Sequence, residues 1–386
     1  MKNNAKTHIL IIGAGPAGLA MAGRLRKAGI KFDIIEKSDN VGNRWRHHYD
    51  RLHLHSVKRL SNLPHLLFPD SYPVYVPREK FVEYLESYAE EFNIEPEFGV
   101  SVNHISKSDD GSWIVETSTG TRSAGRVIIA TGVNNKPKFP GWEGREEYTG
   151  TITHSVDYKN PKAFLNSRTL VVGMGNTGAE VALDLSEHGV ETFLSARGAL
   201  NIVPRDLNGK PVQETALILD KFPLGFGEWL GAKIQGIYFG NLKKYGIEKS
   251  KMRPAVQLKT TGKTPVIDIG TVRAIKEGKI KIVGEVDKFD NLGVVIKGGE
   301  NLDVDHIIFA TGYDSCLDDL IENMSEFKDD LGYPKGAVGT EFHKGLYFVG
   351  FNNYELGGIL GTIYSDSETV MNALTSEYLL SSRHEI

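Results

Sequence analysis

The first fifty residues alternate apolar and polar stretches in a pattern that predicts a strand, a helix and a second strand. The apolar run at 8–12 (His-Ile-Leu-Ile-Ile) leads into a Gly-Ala-Gly-Pro-Ala-Gly turn at 13–18. A helical stretch follows to Lys27, and a second strand-like run ends at Glu36. This order is the β-α-β unit whose glycine turn binds the pyrophosphate of a dinucleotide.

The same pattern returns in the middle of the chain. The apolar run at 168–172 (Arg-Thr-Leu-Val-Val) leads into Gly-Met-Gly-Asn-Thr-Gly at 173–178, a helix to Leu185 and a strand from Val190 to Ser195. We interpret the repeat as an internal duplication of the nucleotide-binding unit.

A second duplicated element supports this interpretation. Residues 127–132 (Val-Ile-Ile-Ala-Thr-Gly) and 307–313 (Ile-Ile-Phe-Ala-Thr-Gly-Tyr) are both apolar strand-like runs that break on a Thr-Gly turn. The fold expected is α/β, with two Rossmann-like three-layer domains, one nested in the other. Residues 1–159 and 312–386 are expected to form a discontinuous FAD-binding domain, and residues 160–311 an inserted NADPH-binding domain.

The two glycine turns differ in the residue that follows the second strand. Eighteen residues after Gly18 stands Glu36, whereas the same spacing after Gly178 reaches Ala196, next to Arg197. A carboxylate accepts hydrogen bonds from a free ribose 2′-hydroxyl and repels a 2′-phosphate, and an arginine does the reverse. The first site therefore suits FAD and the second NADPH. The alternative is that Arg197 is simply a solvated surface residue.

Composition narrows the chemistry further. The formal net charge of −4 argues against a broad nucleic-acid-binding surface. A single cysteine, Cys316, excludes an intramolecular disulfide and the redox cysteine pair of a disulfide reductase, and it is consistent with a reducing, cytoplasmic location. The twelve histidines, several of them near residue 50, are not interpreted as a metal site, so no metal is expected.

A short motif between the two fingerprints suggests a family. Residues 148–158 place Gly150, His154 and Tyr158 at the spacing of the flavin-containing monooxygenase signature, with Tyr148 in its aromatic position. The resemblance extends over nearly the whole chain, through Gly42-Asn-Arg-Trp45 and 345–351. It implies a conformational role for the motif, linking NADPH binding to the flavin.

The resemblance also implies a reaction cycle. NADPH would reduce the flavin, and the reduced flavin would trap dioxygen as a C4a-hydroperoxide that transfers one oxygen atom to a small soft nucleophile at nitrogen or sulfur. Three segments resemble the YUCCA-type subgroup instead, which implies oxidative decarboxylation of an α-keto acid such as indole-3-pyruvate; they are 49–55, 81–88 and 262–268. An uncoupled NADPH oxidase or flavin reductase, and a non-enzymatic redox sensor, stay open.

One departure from the family pattern concerns the residue over the flavin. Many nitrogen- and sulfur-oxygenating members have an asparagine where this chain has His55, with Lys58 at the following lysine position. We therefore expect His55 to be catalytic, near the flavin C4a edge. The alternative is an interior histidine with an ordinary hydrogen bond.

The remaining expectations are the cofactor contacts and the partners. The partners expected are a small-molecule substrate and O2, with no nucleic acid and no membrane span, and a homodimer is left open. The apolar stretch 216–239 is interpreted as buried helix or pocket wall, because charged residues interrupt it. The residues expected to contact a cofactor are Gly13, Gly15, Pro16, Ala17, Gly18, Glu36, Lys37, Trp45, Val102, Thr131, Gly132, Gly173, Gly175, Asn176, Thr177, Gly178, Ser195, Arg197, Ala310, Thr311, Gly350 and Phe351.

Overall fold

The structure is a computed structural model that describes residues 8–219, 233, 235–352 and 357–382. The strands, in chain order, are β1 (Ile9–Ile12), β2 (Asp33–Ile35), β3 (Val102–Lys107), β4 (Trp113–Thr117), β5 (Gly120–Ala124), β6 (Arg126–Ile129), β7 (Lys136–Pro137), β8 (Thr151–His154), β9 (Arg168–Val172), β10 (Glu191–Ser195), β11 (Ile202–Pro204), β12 (Asp206–Leu207), β13 (Lys210–Pro211), β14 (Val266–Asp268), β15 (Ile280–Val283), β16 (Val286–Phe289), β17 (Gly293–Ile296), β18 (Glu300–Asp303), β19 (His306–Phe309), β20 (Tyr313–Asp314) and β21 (Leu346–Phe348).

The α-helices are numbered in the same way. They are α1 (Pro16–Lys27), α2 (Asn43–Arg46), α3 (Arg78–Glu91), α4 (Asn176–Glu187), α5 (Val212–Leu219), α6 (Pro254–Thr261), α7 (Thr271–Lys276), α8 (Leu317–Leu320) and α9 (Gly358–Ser382). Short 3₁₀ helices lie at Lys58–Leu60, Pro161–Phe164, Leu242–Tyr245, Met324–Phe327 and Glu341–His343.

The described chain divides into two compact units. The first joins the residues up to Arg46 with Ser56–Lys136 and the residues from Asp314 onward, and the second joins His47–His55 with Pro137–Tyr313. Both sheets at the centre of these units are parallel, and the duplicated apolar runs occupy corresponding strands in the two.

The first unit is built on a four-stranded parallel sheet in the order β2-β1-β6-β21. Side chains alternate between its faces, because successive residues of a strand point to opposite sides. Leu10 and Ile12 pack in one core with Val115 of the antiparallel sheet β3-β4-β5. Ile11 faces α1, which also packs against α3 and α9. The unit therefore has three layers.

The second unit repeats this plan around a five-stranded parallel sheet in the order β15-β10-β9-β19-β8. Leu170 and Val172 of β9 pack against the antiparallel sheet β16-β17-β18. Val171, between them, belongs to the opposite core, which contains Val181 of α4 and Val272 of α7. The predicted α/β class, with two layered Rossmann-like domains, is confirmed.

The division of the chain differs from the expected boundaries in two places. Residues 137–159 lie in the second unit, because β8 pairs in parallel with β19 along its whole length. Residues 47–55 also belong there, because their side chains are hydrogen-bonded to α4. The assignment of one cofactor to each domain stays a prediction.

Two expectations concern apolar segments. Most of the stretch 216–239, interpreted from the sequence as buried helix or pocket wall, lies outside the described residues. Of its described residues, Ile218 and Ile237 are exposed, and Phe239 is buried. No helix within the described ranges is long and apolar enough to span a membrane.

Candidate cofactor sites

The first glycine turn forms an open cradle at the start of α1. Gly13 has φ +106°, and a Cβ atom there would lie 2.6 Å from the carbonyl oxygen of Ala130. A Cβ atom on Gly18 would overlap the carbonyl oxygen of Gly13. Gly15 has an ordinary negative φ, and a Cβ atom built on it meets nothing within 4 Å. Gly13 and Gly18 are therefore required by the fold, whereas Gly15 borders free space.

The second glycine turn has the same geometry at the start of α4. Gly173 has φ +107°, with its Cβ position 2.7 Å from the carbonyl oxygen of Ala310, and Gly178 again packs on the turn. Gly175, like its counterpart, borders nothing within 4 Å.

Neither helix has a side-chain cap at its N-terminus, where Gly15 and Gly175 are the N-cap residues. The backbone N–H groups of a first helical turn have no partner within the helix and favour an anion in front of them. Each turn thus borders open space in front of an uncapped helix N-terminus.

Glu36 is fixed beside the first turn by three hydrogen bonds. The N–H of Ala14 donates to its Oε2 at 2.8 Å, and the N–H and Oγ of Ser38 donate to Oε1 at 2.9 and 2.7 Å. A carboxylate can accept about four hydrogen bonds, so Oε2 keeps capacity for a ribose hydroxyl. The geometry fits the predicted role of Glu36.

The end of β10 is different in character. Arg197 is exposed and has no hydrogen bond or ion pair with another described residue. Ser195 is buried, and its hydroxyl donates to the carbonyl oxygen of Gly284 at 2.8 Å. Arg197 is therefore available to an anionic ligand, whereas the Ser195 hydroxyl already has a partner inside the fold.

Several predicted residues of the first unit meet at the carboxyl ends of its parallel strands. Thr131 follows β6, and its Oγ1 is buried with no hydrogen-bond partner in the described part of the chain. Gly350 follows β21 and packs near Ala17; its N–H donates to Asp366 Oδ2 at 2.9 Å. An orphaned hydroxyl beside an open glycine turn fits a bound group that supplies the missing partner.

The other predicted residues of this unit lie around the same edge. Trp45 lies on α2. Gly42, just before this helix, donates its N–H to the carbonyl oxygen of Ala14 in the glycine turn at 3.0 Å. Val102 begins β3, and Phe351, which follows Gly350 in the chain, is buried. Lys37 is exposed and donates to Asn135 at 3.3 Å.

The predicted residues of the second unit show a similar arrangement, except that its threonine hydroxyl has a hydrogen-bond partner. Asn176 is the first residue of α4, and its Oδ1 accepts from the N–H of Ile267 at 2.7 Å, so its amide NH2 is left to donate. Thr177 follows it in the helix. Thr311, the counterpart of Thr131, donates its hydroxyl to the carbonyl oxygen of Lys138.

Each residue of the short motif has a contact within the second unit. A Cβ atom on Gly150 would lie 2.5 Å from the carbonyl oxygen of Asp305. His154 is 1% exposed, and its Nδ1 accepts from the N–H of Val156 at 3.2 Å. Tyr158 is 2% exposed and donates to Asp184 Oδ2 at 2.7 Å. These contacts are consistent with a conformational role.

His55 lies in the second unit, against α4. Its Nε2 is 3.0 Å from Glu180 Oε2, which also accepts from the hydroxyl of Tyr49 at 2.8 Å. Arg51 donates to Asp184 at 3.2 Å and to Glu187 at 2.8 Å. The hydrogen bond matches the interior-histidine alternative, and a contact between His55 and a flavin stays a prediction.

The three acidic residues of α4 were not singled out from the sequence. Glu180 and Asp184 are 3% and 4% exposed. Their four-residue spacing places them on one face of the helix, and this spacing is the feature of the sequence that indicates a shared acidic face. Burial, together with the neighbouring Glu180, raises the pKa of Tyr49 well above its usual range, and burial beside Asp184 raises that of Tyr158. Both phenols therefore stay protonated and act as donors.

Lys58 is occupied within the first unit. Its Nζ donates to the carbonyl oxygens of Pro69, Asp70 and Tyr72 at 3.1, 3.0 and 2.8 Å. An ammonium group has three donors, so this lysine holds a loop and has no donor left for a ligand.

Comparison with known proteins adds a family likeness. The flavin-binding monooxygenase-like family profile matches residues 6–333. The probable indole-3-pyruvate monooxygenase YUCCA3 of Arabidopsis thaliana is 37% identical over 366 residues, covering 90% of this chain and 83% of that protein. The indole-3-pyruvate monooxygenase YUCCA1 of Oryza sativa subsp. japonica is 35% identical over 359 residues, covering 92% and 88%.

Two solved structures share the fold. A flavin-containing monooxygenase from Stenotrophomonas maltophilia has a TM-score of 0.73 at 19% identity, covering 96% of this chain and 98% of that one. An oxidized steroid monooxygenase bound to NADP has a TM-score of 0.77 at 18% identity, covering 97% and 85%. The predicted family resemblance is confirmed by the profile and the curated relatives.

Proposed function

The chain belongs to the flavin-binding monooxygenase-like family, and from this premise we propose that it is an NADPH-dependent FAD monooxygenase acting on a small 2-oxo acid. The observation that carries the cofactor assignment is the duplicated glycine cradle, which is followed by an anchored carboxylate in one unit and a free arginine in the other. FAD belongs in the first unit and NADPH in the second.

The residues of the first unit fit FAD. The pyrophosphate would lie before the N-terminus of α1, in the space that Gly15 leaves open. Glu36 would accept a hydrogen bond from a ribose hydroxyl through Oε2. Thr131 Oγ1, buried and without a partner among the described residues, would find one in the bound group.

The residues of the second unit fit NADPH. Gly175 leaves the same space before α4, and Asn176 presents its amide NH2 as a donor. Arg197 would meet the 2′-phosphate, since a guanidinium forms strong charge-assisted hydrogen bonds with phosphate oxygens. No carboxylate takes the place of Glu36 here, so nothing at that position repels the phosphate.

When bound, FAD would accept a hydride from NADPH and activate dioxygen, so that one oxygen atom enters the substrate and the other leaves as water. His55 is the residue that we assign to the oxygen chemistry. Its imidazole can donate or accept a hydrogen bond, depending on which ring nitrogen carries the hydrogen.

The substrate class is inferred from the relatives. The curated relatives described above carry the name indole-3-pyruvate monooxygenase at 35–37% identity over at least 90% of this chain. The balanced reaction of a 2-oxo acid with NADPH, a proton and O2 gives the carboxylic acid one carbon shorter, carbon dioxide, NADP⁺ and water. Lys58, at the lysine position of the nitrogen- and sulfur-oxygenating pattern, holds a loop through its three donors.

Product analysis tests this assignment. The protein reconstituted with FAD would be incubated with NADPH and either indole-3-pyruvate labelled with ¹³C at its carboxyl carbon, or a panel of tertiary amines and thioethers. We expect labelled carbon dioxide and indole-3-acetate in equal amounts, with one ¹⁸O atom from ¹⁸O2 in the acid. An N-oxide or sulfoxide without decarboxylation would assign the chain to heteroatom oxygenation. Hydrogen peroxide equal to the NADPH consumed with every substrate would assign it to the oxidases.

A further inference from the structure

The carboxylate of Glu180 binds two donors through a single oxygen atom. Oε2 accepts from the hydroxyl of Tyr49 at 2.8 Å and lies 3.0 Å from Nε2 of His55. Glu180 is 3% exposed, and the side chain of His55 is 18% exposed. The contact is shielded from water, so the carboxylate restrains the ring more strongly than it would at a surface.

The chemistry of the pair determines which ring nitrogen carries a hydrogen. An ionised carboxylate can only accept, so Nε2 of His55 must be the donor. Nε of Arg51 lies 3.9 Å from Oε1, and the hydroxyl of Tyr49 donates its hydrogen to Oε2 of the same carboxylate. In the neutral ring Nδ1 is then the acceptor, and it is not among the atoms that Glu180 contacts.

Glu180 also has a defined place relative to the second candidate cofactor site. It lies four residues after Asn176, the first residue of α4, and residues four apart share a face of a helix. The same helix therefore carries the residue that holds His55 and the N-terminus that faces the pyrophosphate opening.

We propose that Glu180 is a positioning residue for His55: it holds the imidazole through Nε2, fixes its tautomer, and leaves Nδ1 for the oxygen chemistry. This inference rests on the role that the proposed function gives to His55. It differs from a purely structural role, in which Glu180 would only attach the segment 47–55 to α4.

A double-mutant cycle separates the two roles. The variants are Glu180→Ala, His55→Ala and the double variant, and the control is Glu187→Ala. Glu187 lies on the same helix and contacts the same Arg51 at 2.8 Å, but it is not a hydrogen-bond partner of His55. Two quantities are measured: the rate of flavin reduction by NADPH, and the partition ratio of oxygenated product to hydrogen peroxide.

We expect Glu180→Ala and His55→Ala each to lower the partition ratio about tenfold, equal to about 1.4 kcal/mol. The double variant should lower it no further, because Glu180 acts through His55. Flavin reduction should be unchanged in all variants, and Glu187→Ala should keep the partition ratio of the wild type. A double variant in which the two losses multiply, or a wild-type ratio in Glu180→Ala, would overturn the inference.

A second readout does not depend on the cofactors. In protein labelled with ¹⁵N-histidine and free of FAD, the Nε2–H group of His55 should give a cross-peak protected from exchange, assigned by its loss in His55→Ala. The cross-peak should persist in Glu187→Ala and vanish in Glu180→Ala. If Glu180→Ala fails to fold, Glu180→Gln replaces it in both experiments, with a smaller loss in the same direction. A cross-peak on Nδ1 in the wild type would overturn the inference.

Failure of the inference and of the proposed function can be told apart. In one outcome, His55→Ala keeps the wild-type partition ratio while the Nε2–H cross-peak behaves as expected. Glu180 then positions a ring that the reaction does not use. That result overturns the role proposed for His55, and with it the inference. If His55→Ala lowers the ratio and Glu180→Ala does not, only the inference fails.

Discussion

The hydroxyl of Tyr158 donates to Oδ2 of Asp184 at 2.7 Å, and both residues are at least 96% buried. Tyr158 is the last residue of the family motif, and Asp184 lies in α4, the helix that starts at the second glycine turn. Asp184 also receives Arg51 at 3.2 Å through Oδ1. The family motif is thus joined by a buried hydrogen bond to α4, the helix that follows the second glycine turn.

Removing that hydroxyl should destabilise the protein. Tyr158→Phe keeps the ring but leaves Oδ2 of a buried carboxylate without this donor, and hydrogen bonds to charged groups contribute about 1.5–3 kcal/mol. We expect the free energy of unfolding, measured in urea, to fall by that amount. The matched control is Tyr148→Phe, because Tyr148 donates to a neutral carbonyl oxygen, that of Val304, at 2.8 Å. Its loss should be smaller, about 0.5–1.5 kcal/mol, and equal losses would contradict the role of the charge.

The two middle glycines should separate the two cofactors. A Cβ atom on Gly15 or Gly175 meets no protein atom within 4 Å, so Gly15→Val and Gly175→Val should fold normally. Gly15→Val should lose FAD, since the side chain fills the space expected for the pyrophosphate. Gly175→Val should stay yellow but resist reduction by NADPH in stopped-flow absorbance.

The control for this pair is Gly18→Ala, whose Cβ atom would overlap the carbonyl oxygen of Gly13. That variant should lower the melting temperature, unlike Gly15→Val. Normal reduction of Gly175→Val would contradict the assignment of NADPH to the second unit.

Arg197 should set the preference for NADPH over NADH. It is exposed and has no described partner, so its loss should leave the fold unchanged. A charge-assisted contact to phosphate contributes about 1.5–3 kcal/mol, which corresponds to roughly tenfold to a hundredfold in affinity. Arg197→Ala should raise the KM for NADPH by that factor and leave the KM for NADH unchanged. Arg273→Ala, which removes another exposed arginine of the same unit, is the control. Equal effects on the two coenzymes would reject the assignment.

The parts of this protein that the sequence predicts are those encoded within short stretches. The fingerprints at 13–18 and 173–178 predicted both cradles, because the glycine positions follow from steric limits within six residues. The apolar runs at 8–12 and 168–172 likewise predicted the strands β1 and β9, which are buried between two layers.

The parts that escaped prediction depend on distant residues. His55 and Glu180 are 125 positions apart, and no local pattern indicates that they meet. Thr131 and Thr311 stand in identical Ala-Thr-Gly turns, yet the hydroxyl of Thr311 has a partner 173 positions away and that of Thr131 has none within the described ranges. The division of the chain at 47–55 depends on the same kind of long-range contact.

A last prediction concerns the stability of the first unit at mildly acidic pH. His343 is 2% exposed, and its ring stacks on Phe327 with the centroids 5.3 Å apart. Burial lowers its pKa below the usual value of 6.5. Its Nε2 is buried without a hydrogen-bond partner in the described part of the chain, and the backbone hydrogen bonds with Glu322 and Asn323 that favour the charged ring do not outweigh the burial.

The sign of the pH effect follows from this lowered pKa. Below about pH 6.5 the unfolded chain binds a proton at His343 that the folded protein does not, so stability falls as the pH falls, until the lowered pKa is reached. The slope from one group is at most about 1.4 kcal/mol per pH unit. His343→Phe keeps an aromatic ring and removes the titration. In urea unfolding at pH 8 and pH 5.5, the wild type should lose more stability between the two values than the variant. The difference at pH 8 measures the change in packing alone, and parallel losses in both proteins would show that His343 does not titrate in this range.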